Sequence, residues 1–213
     1  MKWPKTVNEA RAMQEALRTK VICKDRFTKV NFVAGADVGF EKGGTVTRAA
    51  VVVLRFPQLD LVEKAVVRQP TRFPYVPGYL SFREVPAVVA AFGRLKQRPD
   101  LMICDGQGIA HPRRFGLACH LGVLLDVPTI GVAKSRLIGG YEEPGTEKGS
   151  YSELHDKGEL IGYVLRTRSN VKPVFVSCGH RVGPESAVRL TLACTTRYRL
   201  PETTRQAHRL ASH

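Results

Sequence analysis

The sequence has no paired cysteine motif and no long apolar run, and each absence argues against a class of protein. Its five cysteines are scattered, odd in number and without a Cys-x-x-Cys pair, which argues against a disulfide framework and a structural zinc site. No apolar stretch approaches the ~18 residues that a membrane-spanning helix requires. The first residues lack the apolar segment of a secretory signal. We therefore expect a cytoplasmic protein that has no membrane partner.

Acidic residues are also scarce. The chain has 33 Lys and Arg against 19 Asp and Glu, a formal net charge of +14. Such an excess favours a polyanionic partner, and nucleic acid is the better candidate because the basic residues do not form one amphipathic stripe. With 213 residues, of which 43% are hydrophobic, the chain is long enough for one well-cored domain spanning residues 1–213.

The order of elements predicts the fold class. A capping-box pattern at Thr6 and Glu9 predicts a first helix over about residues 7–22. Three strands follow, joined by short links that suit antiparallel hairpins. Helices and strands then alternate, which predicts a single-domain α/β fold with a mixed sheet flanked by helices, similar to the ribonuclease H-like fold. The predicted strands are 32–38, 49–56, 61–67, 101–105, 128–133, 160–166 and 173–177; the later helices are 86–95, 117–125, 185–196 and 202–211; segments 70–80 and 139–149 are irregular.

Residues 101–114 hold the strongest single signal. Four apolar residues lead into Asp105, and the chain then breaks at Gly106. A carboxylate at the end of a buried strand lies where open α/β folds bind ligands, although a side chain that only caps the turn explains Asp105 equally well. His111, Arg113 and Arg114 follow, three groups suited to phosphate.

Two further acids bear on Asp105. Asp37 lies between Ala36 and Val38 in an apolar strand, where an unpartnered charge costs several kcal/mol. Because Asp105 meets the same objection, we favour a shared metal over separate basic partners. Glu84 fits a capping box that begins at Ser81. As a third carboxylate it would instead complete an all-oxygen site for Mg²⁺ or Mn²⁺, suited to phosphodiester hydrolysis.

Several segments, in this order, make the chain resemble the endonuclease V family of ribonuclease H-like repair nucleases, which act on deaminated adenine. They are Ala-Asp-Val-Gly-Phe at 36–40, Pro-Tyr-Val-Pro-Gly at 74–78, Leu-Ser-Phe-Arg-Glu at 80–84, Asp-Gly-Gln-Gly at 105–108 with His-Pro-Arg-Arg at 111–114, Val-Pro-Thr-Ile-Gly-Val-Ala-Lys at 127–134, and Gly-His-Arg-Val at 179–182. Gln107 and Thr203 depart from the histidine and proline of many relatives.

The resemblance implies roles that the residues alone leave open. Asp37, Glu84 and Asp105 would be the catalytic, metal-holding carboxylates, and His208 would act near the scissile phosphate. Without the family, His208 reads as a solvated helix residue and segment 74–77 as a structural turn. With it, that segment is a wedge between strands, and four residues line the pocket for a flipped hypoxanthine: Gly78, Leu80, Gly106 and Gly116. The implied substrate-binding residues are Pro74, Tyr75, Val76, Pro77, Gly78, Leu80, Arg83, Gly106, His111, Gly116 and Lys134.

The implied activity is hydrolysis of the phosphodiester bond one nucleotide beyond the lesion on its 3′ side, with Mg²⁺ as cofactor and Mn²⁺ as a substitute. The expected partners are inosine-containing DNA, single- or double-stranded, and inosine-containing RNA, bound by a monomer. Two alternatives stay open. One is a ribonuclease H-like nuclease of ordinary RNA or branched DNA. The other is a basic binding module without catalysis, which explains the charge but not Asp37 and Asp105.

Overall fold

The computed structural model of the chain describes residues 3–212, and within them five α-helices flank one eight-stranded sheet. The strands are β1 (Phe32–Glu41), β2 (Val46–Arg55), β3 (Leu61–Pro70), β4 (Leu101–Asp105), β5 (Thr129–Ala133), β6 (Tyr151–Asp156), β7 (Glu159–Leu165) and β8 (Val174–His180). The helices are α1 (Val7–Arg18), α2 (Leu80–Phe92), α3 (Leu117–Leu125), α4 (Pro184–Ala193) and α5 (Glu202–Ala211).

The sheet is mixed, as predicted, and its strand order is β3-β2-β1-β4-β5-β8-β7-β6. Strands β1 to β3 form an antiparallel meander, β4 runs parallel to β1, β5 runs parallel to β4, and β8 returns antiparallel. Because β1, β4 and β5 are parallel neighbours, their carboxyl ends meet at one edge, where open α/β sheets bind ligands.

Apolar side chains cover both faces of the sheet. On one face, Ala34 and Val51 pack against Val85 and Val88 of α2. On the other face, Ile103 belongs to a cluster that includes residues of α4. Two core layers around one sheet are what a doubly covered α/β fold requires.

The first helix begins as predicted and ends early. Thr6 Oγ1 accepts a hydrogen bond from the Glu9 backbone N–H, and the Glu9 carboxylate accepts one from Thr6. The helix stops at Arg18 rather than near residue 22. No helix among residues 3–212 is both long and apolar enough to cross a membrane.

The prediction for α2 was wrong at its start. The helix begins at Leu80, no side chain caps it, and Ser81 and Glu84 lie inside it, so the capping box does not exist. The Ser81 hydroxyl instead hydrogen-bonds His120 Nδ1 at 3.1 Å. Pro86 lies inside the helix and has no N–H for the Phe82 carbonyl. The indole N–H of Trp3 bonds that carbonyl at 2.9 Å, which removes one cost of the proline.

Strand β6 was not predicted. It pairs with β7 at the outer edge of the sheet and mixes exposed polar residues with one buried side chain, Leu154. An edge strand with so little buried surface lacks the apolar alternation that sequence patterns detect.

Candidate active site

Three carboxylates meet at the carboxyl edge of the sheet, and we call Asp37, Glu84 and Asp105 the acidic cleft. Ala36 of β1 pairs with Cys104 of β4, so Asp37 and Asp105 follow paired residues on neighbouring strands. Burial and the Asp105 charge raise the pKa of Asp37. Burial and the charges of both aspartates raise the pKa of Glu84 to about 8. Such mutual perturbation is typical of a functional site.

The three carboxylates have unequal partners. Asp37 Oδ2 accepts a hydrogen bond from His208 Nδ1 at 2.6 Å, and Asp105 Oδ2 accepts one from Lys134 Nζ at 2.5 Å. Within residues 3–212, no hydrogen bond or ion pair within 4.0 Å reaches the carboxylate of Glu84. Glu84 is therefore the carboxylate with no direct partner in the described chain, and the charge of Arg83 offsets only part of the burial and repulsion that raise its pKa.

The donor atoms of the cleft suit a divalent cation, although the three carboxylates are not arranged as a complete set of ligands. Among residues 3–212, no three Asp, Glu, His or Cys groups converge as a ready-made ligand set. Lys134 and His208 hold the two aspartates. Oxygen-only donors that repel one another nonetheless match Mg²⁺ or Mn²⁺, since a bound cation would offset their repulsion.

Two glycines of β1 bring His208 to the cleft. A Cβ on Gly35 would lie 2.1 Å from the Thr203 carbonyl oxygen, and one on Gly39 would lie 2.3 Å from that of Ala211. The backbone of α5 therefore lies directly on β1, with Asp37 between the two glycines. Sequence reasoning did not single out Gly35 and Gly39, although glycines inside a strand often mark a close backbone approach.

A cavity of about 360 Å³, which we call the side pocket, opens beside the cleft. Asp105 belongs to both. Of the substrate-binding residues predicted from the family, eight line it: Tyr75, Pro77, Gly78, Leu80, Gly106, His111, Gly116 and Lys134. Its size falls in the range of small-molecule sites.

Three of the predicted binding residues do not line the side pocket. Pro74 is exposed beside it, and Val76 packs with a small apolar cluster beneath the loop. Arg83 points toward the β1–β2 hairpin, where its guanidinium lies 4.2 Å from the Phe40 ring centroid and donates to the Gly44 carbonyl.

The backbone carbonyl of Gly78 ties the loop of residues 70–79 to the domain. It accepts hydrogen bonds from Gln14 Nε2 at 3.1 Å, from His111 Nε2 at 3.1 Å and from Arg113 Nη2 at 2.5 Å. Gly78 itself has φ +79°, a conformation that favours glycine. Above this anchor Tyr75 projects with 69% of its surface exposed.

The basic residues after Asp105 have structural partners that the sequence did not indicate. Arg113 donates to the Gly78 carbonyl in the loop of residues 70–79, and Arg114 pairs with Asp156 and Glu159 at 2.8 Å each. Burial and the nearby arginine charges lower the pKa of His111 to about 4, so the ring is neutral at pH 7.

Several pocket residues were missed from the sequence: Ser81, Gln107, Leu117, Ala133, Ser135, Arg136 and Leu137. The last three directly follow β5, so the carboxyl-end rule could have found them once β5 was placed beside β4. Gln107 Nε2 donates to the Ser135 carbonyl at 3.1 Å and thereby joins the loops after these two strands.

The fold and the site define a class before any comparison is made. Two parallel strands of this mixed sheet and a flanking helix contribute the three carboxylates of the acidic cleft. This is the arrangement of a ribonuclease H-like nuclease. The family model for endonuclease V matches residues 15–209. The chain belongs to the endonuclease V family and is a nuclease.

Individual relatives support this assignment over the whole chain. Endonuclease V of Trichormus variabilis is 58% identical over 212 residues, which cover 99% of this chain and 96% of the relative. The crystal structure of endonuclease V from Streptomyces avermitilis is 50% identical, with a TM-score of 0.94 and coverage of 99% and 93%. That of Ciona intestinalis endonuclease V, in complex with a 23mer DNA containing an inosine followed by a ribo-adenosine, is 32% identical, with a TM-score of 0.87 and coverage of 97% and 95%.

Proposed function

We propose that the chain is a metal-dependent DNA-repair endonuclease that recognises deaminated adenine and hydrolyses the phosphodiester bond one nucleotide beyond it, on the 3′ side. The observation that carries the proposal is the shared position of Asp105, which belongs to the acidic cleft and also lines the side pocket. A base held in the pocket would keep a neighbouring phosphate within reach of the carboxylates. The Ciona relative, crystallised with inosine-containing DNA, supports the choice of lesion.

Asp37, Glu84 and Asp105 would hold Mg²⁺, for which Mn²⁺ can substitute. The bound ion would supply activation of water and stabilisation of the leaving oxygen. His208 would fix the orientation of Asp37 through the hydrogen bond at its Nδ1 and act near the scissile phosphate, with its Nε2 lying 3.5 Å from the Ser212 hydroxyl. Lys134 would act as a point charge on a phosphate oxygen once substrate competes for it with Asp105.

Recognition would require the base to leave the helix, at a cost of a few kcal/mol. Tyr75, held on the Gly78 anchor, can fill the vacated space and offset part of that cost. Two glycines let the walls of the pocket pack closely, and a side chain at either position would crowd them. A Cβ on Gly116 would lie 2.3 Å from the Gln107 carbonyl oxygen, and one on Gly106 would lie 3.2 Å from the Leu117 side chain.

The proposed partners are inosine-containing DNA, single- or double-stranded, and inosine-containing RNA, bound by a monomer in the cytoplasm. The side pocket favours this over a nuclease of ordinary RNA or branched DNA, which has no use for such a cavity. The acidic cleft favours it over a binding module without catalysis, because such a module gains nothing from three repelling carboxylates.

Incision of matched strands tests the proposal. Duplexes that differ only by one inosine in place of adenosine, prepared as DNA and as RNA, are incubated with enzyme in Mg²⁺ or in chelator. We expect a nick only in the inosine-containing strand, only with metal, and at the second phosphodiester bond on the 3′ side of the inosine. Equal cutting of the adenosine control would contradict lesion recognition, and cutting in chelator would contradict metal dependence.

A further inference from the structure

The geometry points to a second nucleic-acid site, a track for single-stranded nucleic acid on the α5 side of the sheet, made by Arg197, Tyr198, Arg205, Arg209 and Lys64. We call these five residues the α5 track. It would hold the strand that leads away from the acidic cleft. It concerns backbone and base stacking outside the side pocket and does not depend on which base the pocket accepts.

The track contains a groove between α5 and the edge strand β3. The groove has a volume of about 430 Å³, and three basic residues line it, namely Lys64, Arg205 and Arg209, together with an apolar floor that includes Val52 and Leu61. Arg205 is neutralised in part, because its guanidinium forms a bidentate pair with Glu202. Within residues 3–212, neither Lys64 nor Arg209 forms an ion pair with an acidic side chain within 4.0 Å. These two charges are therefore available to phosphates.

An exposed aromatic residue continues the groove. Tyr198 has 45% of its surface exposed, and the guanidinium of Arg205 lies 4.6 Å from its ring centroid. Arg197 approaches the same ring at 5.8 Å. Exposed aromatic rings beside a positively charged groove are typical of proteins that bind single strands, because every base has a face that can stack. Guanidinium planes also accept stacked bases.

The α5 track and the acidic cleft draw on the same helix, α5, and on the loop before it. Arg209 directly follows His208, whose ring holds Asp37. At the other end, Arg199 follows Tyr198 and donates to the Lys134 carbonyl at 2.6 Å. We infer that a strand leaving the cleft past His208 crosses α5 to reach Arg209 and the groove. A duplex cannot stack its paired bases on Tyr198, so the occupant we infer is a single strand.

Binding of an undamaged oligothymidylate of about 15 nucleotides, which is within the site sizes of single-strand binding folds, tests the inference by fluorescence anisotropy in chelator. Tyr198→Ala should weaken binding about tenfold, whereas Tyr198→Phe should stay within about twofold because it keeps the ring. The control is Tyr151→Ala, since Tyr151 is also exposed but lies on β6, at the opposite edge of the sheet. Equal affinities for Tyr198→Ala and the control would overturn the stacking role.

Salt dependence tests the cationic part. The double variant Lys64→Ala/Arg209→Ala should reduce the slope of log K against log salt by about 1.4, since each single-strand phosphate contact contributes about 0.7. Lys24→Ala/Lys157→Ala removes the same charge from exposed residues outside the track and should leave the slope unchanged. Equal slopes for the two double variants would overturn the track. Because the probe contains no inosine, this failure is distinguishable from a failure of inosine-specific incision.

Discussion

The acidic cleft and the side pocket share Asp105 but are built in opposite ways. The cleft rests on regular elements that bring like charges together, so that burial and repulsion raise the pKa of Asp37 and of Glu84. Beside the side pocket, the loop of residues 70–79 is held in place by its Gly78 carbonyl, which accepts hydrogen bonds from Gln14, His111 and Arg113. Hydrolysis would therefore depend on carboxylates that are buried close together at a cost in free energy. Recognition would depend on an irregular loop that hydrogen bonds hold in one position.

The largest expected effect is a carboxylate substitution in the cleft. Asp37→Asn should lower the rate of incision by about 10³-fold or more, because a bound metal ion stabilises the charge of the transition state by several kcal/mol. The thermal midpoint should stay level or rise, because removing one charge relieves repulsion. Asp60→Asn, at an exposed position directly before β3, is the control and should change neither quantity. Full activity of Asp37→Asn in Mg²⁺ would contradict the role of the acidic cleft in hydrolysis.

The substitution Gly35→Ala tests the close packing of α5 on β1. The added Cβ would overlap the Thr203 carbonyl, so we expect a loss of about 1–3 kcal/mol in the free energy of unfolding, as for other overpacked sites. Incision should fall as well, because α5 carries His208. The matched control is Gly140→Ala, where a Cβ meets nothing within 4 Å. Urea unfolding of both variants checks this, and equal stability would show that the close approach is unimportant.

Low pH should destabilise the fold through His120, whose ring hydrogen-bonds the pocket residue Ser81. Burial lowers the pKa of His120 to about 3, so the folded chain keeps this ring neutral while the unfolded chain takes up a proton below pH 6.5. Stability should therefore be full above pH 6.5 and fall as the pH drops, by about 3 kcal/mol at pH 4 from this group. His120→Asn, which keeps an amide near Ser81, should flatten that fall. A variant as acid-sensitive as the wild type would contradict the assignment.

The smallest expected effect is that of Lys134→Ala. Loss of a point charge on phosphate should slow single-turnover incision about tenfold, the scale of one charge-assisted hydrogen bond. The preference for inosine over adenosine should stay within about twofold, because Lys134 lies where the pocket meets the cleft and would contact the backbone. A large change of preference with an unchanged rate would move Lys134 from the cleft to recognition.

Patterns in the sequence predicted the mixed sheet, because the apolar runs of its central strands and the short links of its meander are local signals. They also indicated Asp37 and Asp105, since charges inside apolar strands are conspicuous. Glu84 was ambiguous because Ser81 and Glu84 mimic a cap, and the start of α2 at Leu80 together with the Ser81–His120 hydrogen bond removes that interpretation.

Other features depend on partners far away in the chain. Arg113 and Arg114 looked free for phosphate, yet their partners include Gly78 on a loop and Asp156 on the unpredicted β6. Pro86 inside α2 likewise has a distant partner, since Trp3 bonds the Phe82 carbonyl that the proline leaves free. No local pattern records such contacts, because they exist only once the chain is folded.

One crossed measurement tests the separation of cutting from recognition most directly. Affinity, rate at saturating enzyme and nick position are determined on one inosine duplex for Asp105→Asn and for Tyr75→Ala. The account predicts that Asp105→Asn binds the duplex normally and does not cut it. Tyr75→Ala should bind about 1–3 kcal/mol more weakly and, at saturation, still nick the same bond. Unchanged affinity of Tyr75→Ala, a shifted nick or release of free hypoxanthine would contradict it.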